Sequence, residues 1–473
     1  MQVQSMFFKR TASMKLDDAV LQHNLKKAKG KFVDGRIKAV AEVDNWEAIR
    51  THAAALRDRA LADLSAYLVE FERNATRRGA QVHWAESAAQ ACDILVDIAR
   101  ANGVKKVTKS KSMVSEEVNL NERLEAAGVQ VIETDLGEYI LQLAKEPPSH
   151  IVAPAVHKSK EQVADLFQEA HQRPRITEIP ALTREAREAL REHFLSADMG
   201  ISGANFVIAE TGTTLTVTNE GNADMVTTVP PIHCVITGIE KVIPTLEDFA
   251  TLIRLLPRSA VGQSIANYLS LTTGVKAPGE SDGPEQMHIV LVDAGRTRFV
   301  GTELQSMLRC IRCGACMNHC PVYQNVGGHA YGWVYPGPMG SVLTPVYVGI
   351  ENAGDLPNAA TFCGECAVVC PVKIPLPDLM RKLREQQFDR ALRPWGERAV
   401  LALWSYAVRR PRLYATLSKF GARVGAAMGG RDRLIHHLPG LDGWTHGRDM
   451  PAPAGRTFRE LYRKQRPSRA KRS

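Results

Sequence analysis

Hydrophobic positions near the start of the chain recur at helical spacing. Between residues 45 and 75 the apolar side chains follow one another in steps of three and four: Trp46, Ile49, Ala53, Leu56, Ala60, Leu64, Leu68 and Phe71. Steps of this size place side chains on one face of a helix. The pattern therefore predicts one long amphipathic helix within an N-terminal helical region, residues 1–75.

The next part of the chain alternates short apolar runs with helical patterns. Strands are predicted at QVHW (81–84), KKVTKS (105–110), VQVIET (129–134) and HIVAP (150–154). Helices are predicted between them, at SAAQACDILVDIARA (87–101), EEVNLNERLEAAG (116–128) and LGEYILQLA (136–144). Alternation of this kind is typical of parallel strands joined by helical crossovers, so an α/β layer is expected.

Residues 205–240 show a different pattern, in which short strands are joined by turns. Strand patterns in NFVIAE, TLTVTNE and HCVITGIEKV are joined by the turn-rich stretches ETGT (210–213) and NEGNAD (219–224). This pattern predicts hairpins added to the sheet of the α/β layer. After about residue 300 no strand is predicted. A Gly/Pro-rich stretch (325–340) contains too many breakers to form one element, and helical patterns resume beyond residue 376.

Length and composition are those of an ordinary globular protein. A chain of 473 residues allows two or three domains, and 44% hydrophobic with 23% charged residues is typical of soluble chains. The apolar run AVLALWSYAV (399–408) has about half the length that a bilayer span needs. The N-terminus lacks the apolar region of a secretory signal. We expect a cytoplasmic protein, and peripheral contact with the inner face of the membrane stays open.

The net charge of +9 is concentrated at the C-terminus. The tail 456–473 holds eight Lys and Arg residues and one Glu, which leaves about +2 for the rest of the chain. A nearly neutral body excludes a broad basic face for nucleic acid. The tail is interpreted as a solvated terminus, or as a segment that docks on an acidic partner or anionic lipid.

Seven of the nine cysteines fall between residues 310 and 370. Clustering in a cytosolic chain indicates metal binding, because that compartment keeps thiols reduced. The other two, Cys92 and Cys234, have apolar neighbours in sequence and are predicted to be buried and inert.

The clustered cysteines form two related motifs. Cys310, Cys313, Cys316 and Cys320 follow the pattern C-x2-C-x2-C-x3-C-P, and Cys363, Cys366 and Cys370 repeat its last three positions. In two-cluster ferredoxins the first three cysteines hold one cluster, and the fourth binds the neighbouring one. We therefore expect two [4Fe–4S] clusters. The first is assigned to Cys310, Cys313, Cys316 and Cys370, and the second to Cys320, Cys363 and Cys366.

Structural zinc is the alternative for these cysteines. Zinc takes two C-x2-C pairs, for instance Cys310/Cys313 with Cys363/Cys366. That arrangement leaves three cysteines without a role as metal ligands and does not explain the two C-x3-C-P endings. The sequence therefore favours iron–sulfur clusters.

The second cluster lacks an eighth cysteine, because Ala360 stands where the repeat requires one. Four alternatives follow. Cys234 or Cys92 could reach the cluster from elsewhere, or Glu365 or His319 could supply an oxygen or nitrogen. The fourth iron could also be open to solvent or to a partner's ligand, or the cluster could be [3Fe–4S].

Longer stretches around the motifs resemble a known family. CPVYQNVGGHAYGWVYPGPMGSVLTP (320–345) and CGECAVVCPVKIPLPDL (363–379) are similar to the iron–sulfur B protein of bacterial lactate-utilization complexes. Residues 133–158 and 203–233 resemble its LUD domain, whose fold is like that of the NagB/RpiA/CoA-transferase group. Residues 440–460 resemble its C-terminal segment.

The resemblance implies a domain order and a function. After the N-terminal helical region it implies a LUD-like α/β domain (76–298), a mostly helical ferredoxin-type dicluster domain (299–390) and a C-terminal helical segment with the basic tail (391–473). It implies companion subunits, with which the chain oxidises L-lactate to pyruvate and passes electrons toward a respiratory acceptor.

Polar residues in the turns of residues 205–240 are candidates for a substrate or partner site: Glu210, Thr211, Thr213, Asn219, Glu220 and Asn222. Sites in related folds lie near strand ends, so a carboxylate-binding role is one alternative for these residues. Tight turns also need these residue types for backbone reasons alone. His150 and His157 flank a predicted strand and are interpreted as structural.

The chain shows no motif for a hydride acceptor of its own. No G-x-G-x-x-G follows a strand, no P-loop is present, and Gly421, Gly425 and Gly429 have a spacing suited to close helix packing. Three hypotheses remain. The chain is an electron-transfer subunit, the LUD-like domain is itself catalytic on a small hydroxy acid or other carboxylate, or the clusters are structural and the basic tail binds nucleic acid. The nearly neutral body argues against the third.

Overall fold

The computed structural model describes residues 3–438, 440, 445 and 447–465. The chain divides into two compact units between Gln387 and Phe388. The first unit contains all nine cysteines, and each unit is described by itself.

Five helices open the first unit: α1 (Phe8–Leu16), α2 (Ala19–Lys29), α3 (Gly35–Ala41), α4 (Trp46–Ala62) and α5 (Leu64–Arg77). The π-turn Gly30–Asp34 joins α2 to α3. The single long helix predicted over 45–75 is wrong, because the chain breaks at Asp63 (φ −114°, ψ 35°). The break lets α4 and α5 bury their apolar stripes in two different cores.

The described strands are β1 (Ala80–Ala85), β2 (Lys106–Lys109), β3 (Gln130–Glu133), β4 (Met199–Gly203), β5 (Phe206–Ile208), β6 (Thr213–Thr218), β7 (Ile232–Gly238), β8 (Val242–Ile243), β9 (Tyr268–Thr272), β10 (Gln286–Val292), β11 (Leu434–Ile435) and β12 (Met450–Pro451). Among β1 to β10 lie the helices α6 (Ala88–Ala101), α7 (Met113–Glu117), α8 (Leu120–Ala126), α9 (Leu136–Ala144), α10 (Lys160–His171), α11 (Ile179–Leu195), α12 (Asn222–Thr228) and α13 (Leu246–Val261).

Six strands form one parallel sheet in the order β1-β10-β7-β4-β2-β3, which confirms the predicted α/β layer. All seven residues of β7 are buried, as expected for a central parallel strand covered on both faces. In the register, Cys234 of β7 lies beside Ile201 of β4 and His288 of β10.

The strand order reverses direction between β2 and β4. From β2 the chain continues outward to β3 at the edge, whereas from β4 it continues the other way through β7 to β10. Neighbouring strands whose connections leave in opposite directions create a crevice at their carboxyl ends, where α/β proteins bind ligands.

The strand patterns of residues 205–240 were predicted as hairpin additions to the parallel sheet. Of these, β7 is a central strand of that sheet, whereas β5 and β6 belong to a separate sheet. β5, β6, β8 and β9 make a four-stranded sheet in the order β8-β5-β6-β9. Asn205 turns the chain out of β4, since its backbone N–H donates to Leu215 and its side-chain oxygen accepts from Val217. The predicted strand at 150–154 is also wrong. That segment is a series of turns, in which His150 Nδ1 accepts from the backbone N–H groups of Val152 and Ala153.

The cysteine region consists of short helices: α14 (Ala315–Asn318), α15 (Tyr323–Val326), α16 (Gly337–Tyr347), α17 (Glu365–Val368) and α18 (Leu376–Asp389). The Gly/Pro-rich stretch is not one element, as predicted, but helix α16 begins inside it. Pro338 occupies the first turn, where proline is tolerated. Gly340 is required by packing, because a methyl group there would collide with the carbonyl oxygen of Tyr335.

The second unit contains α19 (Trp395–Val408), α20 (Pro411–Met428), the strand pair β11–β12 and α21 (Phe458–Gln465). Gly429 packs closely on Ala452 and Gly425 on Pro453, whereas Gly421 faces open space. Ala452 and Pro453 lie in the segment after β12, so these glycines do not pack against a second helix as the spacing predicted. No helix of the described residues is long and apolar enough to cross a membrane. The last part of the basic tail, 466–473, lies outside the described residues.

Candidate iron–sulfur centre and adjacent cavity

The two cysteine motifs have the same local structure. Arg312 and Phe362, which precede Cys313 and Cys363, both have φ of 57°, and the glycine after each cysteine also has positive φ. In each motif a one-turn helix follows, α14 or α17, and a cysteine just after it precedes a proline. Two successive left-handed or glycine positions bend the backbone sharply, so each loop can present its thiols toward a common centre.

The structure brings the thiols together in two groups. Cys313 interacts electrostatically with Cys310 and Cys370, and Cys316 interacts with all three. Cys366 interacts instead with Cys320 and Cys363. Cys316 also interacts with Cys366, so the two groups adjoin. The grouping follows the pairing expected from the spacing, while the ligand assignment itself stays a prediction.

Burial makes these thiols hard to ionise unless a positive centre binds them. Burial raises the pKa of the Cys366 thiol to about 12 and that of Cys370 to about 11. Two backbone N–H groups point at sulfur: that of Arg312 lies 3.4 Å from Cys310 Sγ, and that of Ile374 lies 3.4 Å from Cys370 Sγ. N–H···S hydrogen bonds of this kind stabilise bound thiolates and tune cluster potentials. The donor set fits iron–sulfur clusters.

Arginines from the N-terminal helices hold the second motif in place. Arg50 donates from Nε and Nη2 to the carbonyl oxygen of Cys370 at 3.0 and 2.6 Å, and from Nη2 to Val368 at 2.7 Å. Arg36 donates to the carbonyl of Val369 at 3.1 Å. Both charges also act on nearby thiols, Cys370 among them, so they offset the negative charge that bound thiolates bring.

The geometry does not favour zinc. The zinc alternative joins Cys363 and Cys366 to Cys310 and Cys313, but Cys366 interacts most strongly with Cys320 and Cys363. Within the described ranges, no three His, Cys, Asp or Glu side chains converge as they would on a single ion. Thiolates on different corners of an iron–sulfur cube stand farther apart than the ligands of one ion.

Neither distant cysteine can supply the missing ligand. Cys92 Sγ donates to the carbonyl of Val118 at 3.1 Å, and Cys234 Sγ lies 3.4 Å from Met199 Sδ. Both are buried in the core of the parallel sheet, as predicted, and that core contains none of the seven clustered cysteines.

The second thiol group lies near the surface, with Cys363 exposed along with the two residues before it. His319, which precedes Cys320 in sequence, is partly buried, and its Nδ1 makes no hydrogen bond among the described residues. Burial, with Arg36 and Lys29, lowers the pKa of His319 to about 4, so its ring is neutral. Glu365 is exposed. His319 and Glu365 therefore remain as the two alternatives for a protein ligand at the fourth position of the second cluster.

A cavity of about 600 Å³ lies at the carboxyl ends of the parallel strands. Residues 110–112 after β2 and 203–205 at the end of β4 line it, so it occupies the crevice where the strand order reverses. Arg312 and Tyr335 of the cysteine region close one side. The cavity therefore lies between the α/β layer and the first thiol group.

A buried network of charged side chains lies on the side of the cavity that Arg312 and Tyr335 close. Arg296 donates from Nε to Glu240 at 2.7 Å and from both terminal nitrogens to Glu117 at 2.9 Å. Arg312 Nη2 lies 3.4 Å from Glu240 Oε1, and Lys241 Nζ lies 3.4 Å from the carbonyl oxygen of Cys310. Burial would raise the pKa of Glu240, but Arg296, Lys241 and Arg312 outweigh it and lower the pKa to about 2.

The polar residues predicted from the turns divide into two sets. Asn219, Glu220 and Asn222 line the cavity. Burial and the neighbouring Asp135 raise the pKa of Glu220 to about 7.

The other predicted turn residues do not reach the cavity and have structural roles. Glu210 accepts from the backbone N–H of Leu246 at 2.6 Å, at the start of α13, and Thr211 donates to Thr213 at 2.8 Å. His150 and His157 are structural as well, since His150 bonds to Asn318 at 2.8 Å and His157 to Glu146 at 2.8 Å.

Sequence reasoning missed Lys241 and Arg312. The position of Arg312 inside a C-x2-C spacing could have indicated a charge beside the cluster. No sequence signal singles out Lys241.

The fold and site together define a LUD-type α/β domain joined to a dicluster iron–sulfur domain. A LUD domain model matches residues 68–292, a 4Fe-4S dicluster domain model matches 306–374, and a model for the C-terminal part of lactate utilisation protein B matches 379–466. The dicluster match implies two iron–sulfur clusters.

Curated relatives match along nearly the whole chain. Lactate utilization protein B of Lysinibacillus sphaericus is 43% identical over 96% of this chain and 95% of its own. Those of Bacillus licheniformis and Bacillus subtilis are each 42% identical, over 98% and 96% of this chain and 98% and 95% of their own. The chain belongs to the lactate utilization protein B family.

A crystal structure of a DUF162 family protein from Deinococcus radiodurans covers 49% of this chain and 98% of its own, at 13% identity. Its TM-score of 0.27 is too low to support an argument about the fold.

Proposed function

We propose that this chain is the iron–sulfur electron-transfer subunit of a complex that oxidises L-lactate to pyruvate. The observation that carries the proposal is the adjoining arrangement of two thiol groups, in which Cys316 interacts with Cys310 on one side and Cys366 on the other. Family membership supports lactate as the electron source, since the relatives are named for lactate utilization.

Seven cysteines hold the two clusters in this proposal. Cys310, Cys313, Cys316 and Cys370 bind the first, a [4Fe–4S] cluster. Cys320, Cys363 and Cys366 bind the second, whose fourth position is open or is filled by a ligand other than cysteine. Bound clusters accept and release electrons one at a time. Arg36 and Arg50 stabilise the reduced state, because their charges lie beside the thiols of the first group.

We infer a direction of transfer from the positions of the two groups. The first group borders the cavity through Arg312, while the second lies near the surface at the exposed Cys363. Electrons that enter at the first cluster would leave by the second, toward a companion subunit and then a respiratory acceptor.

The test uses anaerobically purified, cluster-loaded protein with and without the companion subunits. On addition of L-lactate, the spectrum of reduced clusters should appear only when those subunits are present. Reduction of the clusters by L-lactate in the isolated chain would contradict the assignment of lactate oxidation to a partner.

A second function is favoured by one observation, the cavity with Glu220 on its wall. A carboxylate whose pKa is raised to about 7 is suited to act as a general base near neutral pH. In that case the LUD domain would itself act on a small hydroxy acid, with the clusters as its electron acceptor. Cluster-loaded protein alone should then reduce an artificial dye with lactate, and Glu220→Gln should abolish that activity.

A further inference from the structure

Helices α19 and α20 of the second unit expose apolar side chains of the kind that helices of globular proteins normally bury. All residues of both helices are described, and none of them is buried. Trp395 and Leu403 in α19 are 81% and 70% exposed, and Phe420 in α20 is 68% exposed. Apolar side chains exposed to this degree on neighbouring helices indicate a face that binds another surface.

Helix α20 separates its apolar and cationic side chains onto different faces. One face has exposed apolar side chains in steps of three and four: Leu417, Phe420, Val424 and Met428. The face beside it has three exposed cationic side chains: Arg412, Lys419 and Arg423. An amphipathic helix with Lys and Arg next to an apolar face is typical of helices that lie in the plane of a membrane surface.

Helix α19 is apolar over a longer stretch. No charged residue lies between Arg398 and Arg409. As a helix this stretch is about 15 Å long, which is about half of the hydrocarbon thickness of a bilayer. The exposed Trp404 and Tyr406 belong to the two residue types that are enriched at the boundary between water and lipid. The helix is therefore too short to cross a bilayer and is suited to lie at its surface.

The charge of this region favours anionic lipid as the surface that covers it. From Trp395 to Met428 the chain has six Lys and Arg residues and one acidic residue, Glu397. Lys419 lies 3.7 Å from Glu460 of α21, but α21 itself has three Lys and Arg residues against that one carboxylate. A bilayer with anionic headgroups presents hydrocarbon and negative charge on one surface, as this face requires.

We propose that α19 and α20, which contact each other, dock together on the surface of a bilayer that contains anionic lipid. Apolar side chains of both helices, Trp404 and Phe420 among them, enter the boundary between headgroups and acyl chains. Arg412 and Arg423 bind the anionic headgroups. Docking involves neither thiol group, so it does not depend on the proposed function.

The test is flotation of anaerobic, cluster-loaded, full-length protein with vesicles, which separates bound from free chain. Vesicles of phosphatidylcholine and phosphatidylglycerol in equal parts should bind it, and phosphatidylcholine alone should bind it at least about tenfold more weakly. Trp404→Ser and Phe420→Ser should each weaken binding at least about tenfold, because each removes a large apolar side chain from the lipid boundary. Arg412→Gln and Arg423→Gln should each weaken it about fivefold.

Two variants in α11 of the first unit are matched controls. Ile179→Ser and Arg187→Gln remove exposed side chains of the same kinds and should leave vesicle binding unchanged. All six changed side chains are exposed, so each variant should keep the iron content and the melting temperature of the native protein.

Three results would overturn the proposal: no binding to the mixed vesicles, equal binding to phosphatidylcholine alone, or full affinity in both Trp404→Ser and Phe420→Ser. An equal loss of binding in the α11 variants would overturn the assignment to this face. If the native chain does not bind vesicles and these two α19 and α20 variants release a companion subunit, the face is a protein interface instead. Vesicle binding is measured without lactate or companion subunits, so its failure does not bear on the proposed function.

Discussion

The side-chain nitrogen of Lys241 lies 3.4 Å from the backbone carbonyl oxygen of Cys310. Lys241 belongs to the turn that follows the central strand β7, and Cys310 is the first cysteine of the dicluster motif. The α/β layer and the cysteine region therefore meet at a charged, buried wall. A change on either side of that wall is expected to affect both the cavity and the first cluster.

The division of the thiols predicts separate losses in two variants. Cys370→Ser should lose the first cluster and Cys363→Ser the second, because each removes a thiol from one group only. Each variant should retain about half of the iron of the native protein. Iron analysis and electron paramagnetic resonance of the dithionite-reduced protein measure both quantities.

Cys234→Ser is the matched control for those variants, since this buried cysteine lies in the sheet core. It should keep both clusters. If Cys370→Ser and Cys363→Ser lose the same spectral signal, the assignment of the ligands to two groups is wrong.

Arg50 is predicted to hold the first cluster in place through the backbone. Arg50→Met leaves the buried carbonyl of Cys370 without its side-chain donor, at a local cost of about 1–3 kcal/mol. Transfer of iron to a chelator should become roughly 5- to 150-fold faster, since about 1.4 kcal/mol corresponds to a factor of ten. Arg59→Met on the same helix removes the pair between the half-exposed Arg59 and the buried Asp248, which involves no cysteine, and should not change that rate. Equal rates in both variants would contradict the prediction.

Lys109 is expected to be essential for stability of the sheet. It is fully buried and pairs with Glu116 and Glu133, each at 2.8 Å. Burial would lower the pKa of Lys109, but these carboxylates raise it above its ordinary value. Lys109→Met leaves buried carboxylates unpaired and should lower the free energy of unfolding by about 3–5 kcal/mol.

Lys106→Met on the same strand should cost less than about 1 kcal/mol, because its partner Ser196 is near the surface. Urea denaturation followed by far-UV circular dichroism compares the two variants. A small effect of Lys109→Met would show that its carboxylates are neutral or reach water.

Glu220 is predicted to give stability a dependence on pH. Its pKa of about 7 in the folded chain exceeds the ordinary 4.5, so its contribution is complete below 4.5 and is lost as the pH rises to about 7. Glu220→Gln should therefore raise the melting temperature, relative to the native protein, more at about pH 8 than at about pH 5.5. An equal shift at both pH values would show that Glu220 is not perturbed.

Local sequence patterns predicted the helices and strands in which apolar positions recur at regular spacing. The helices and strands between residues 80 and 144 follow from alternating apolar runs, and the cysteine spacing indicated the two thiol groups. The break at Asp63 was not predictable, because the apolar stripe continues through it, and only the existence of two separate cores explains the turn.

The features that local patterns did not predict depend on contacts between segments that are distant in sequence. Helix α16 was not predicted, because glycine and proline ordinarily break helices. In the folded chain, close packing requires glycine within this helix. The cavity depends on the order of the strands, which no local pattern contains. Lys241 and Arg312 are about seventy residues apart, and only the fold brings both to its wall.

The most direct test of the account is iron and acid-labile sulfide analysis of anaerobically reconstituted protein, with electron paramagnetic resonance before and after dithionite. We predict about eight iron and eight sulfide per chain, or about seven iron if the second cluster is [3Fe–4S], and signals from two interacting clusters on reduction. A colourless protein that binds zinc, or one with a single cluster that dithionite does not reduce, would contradict it.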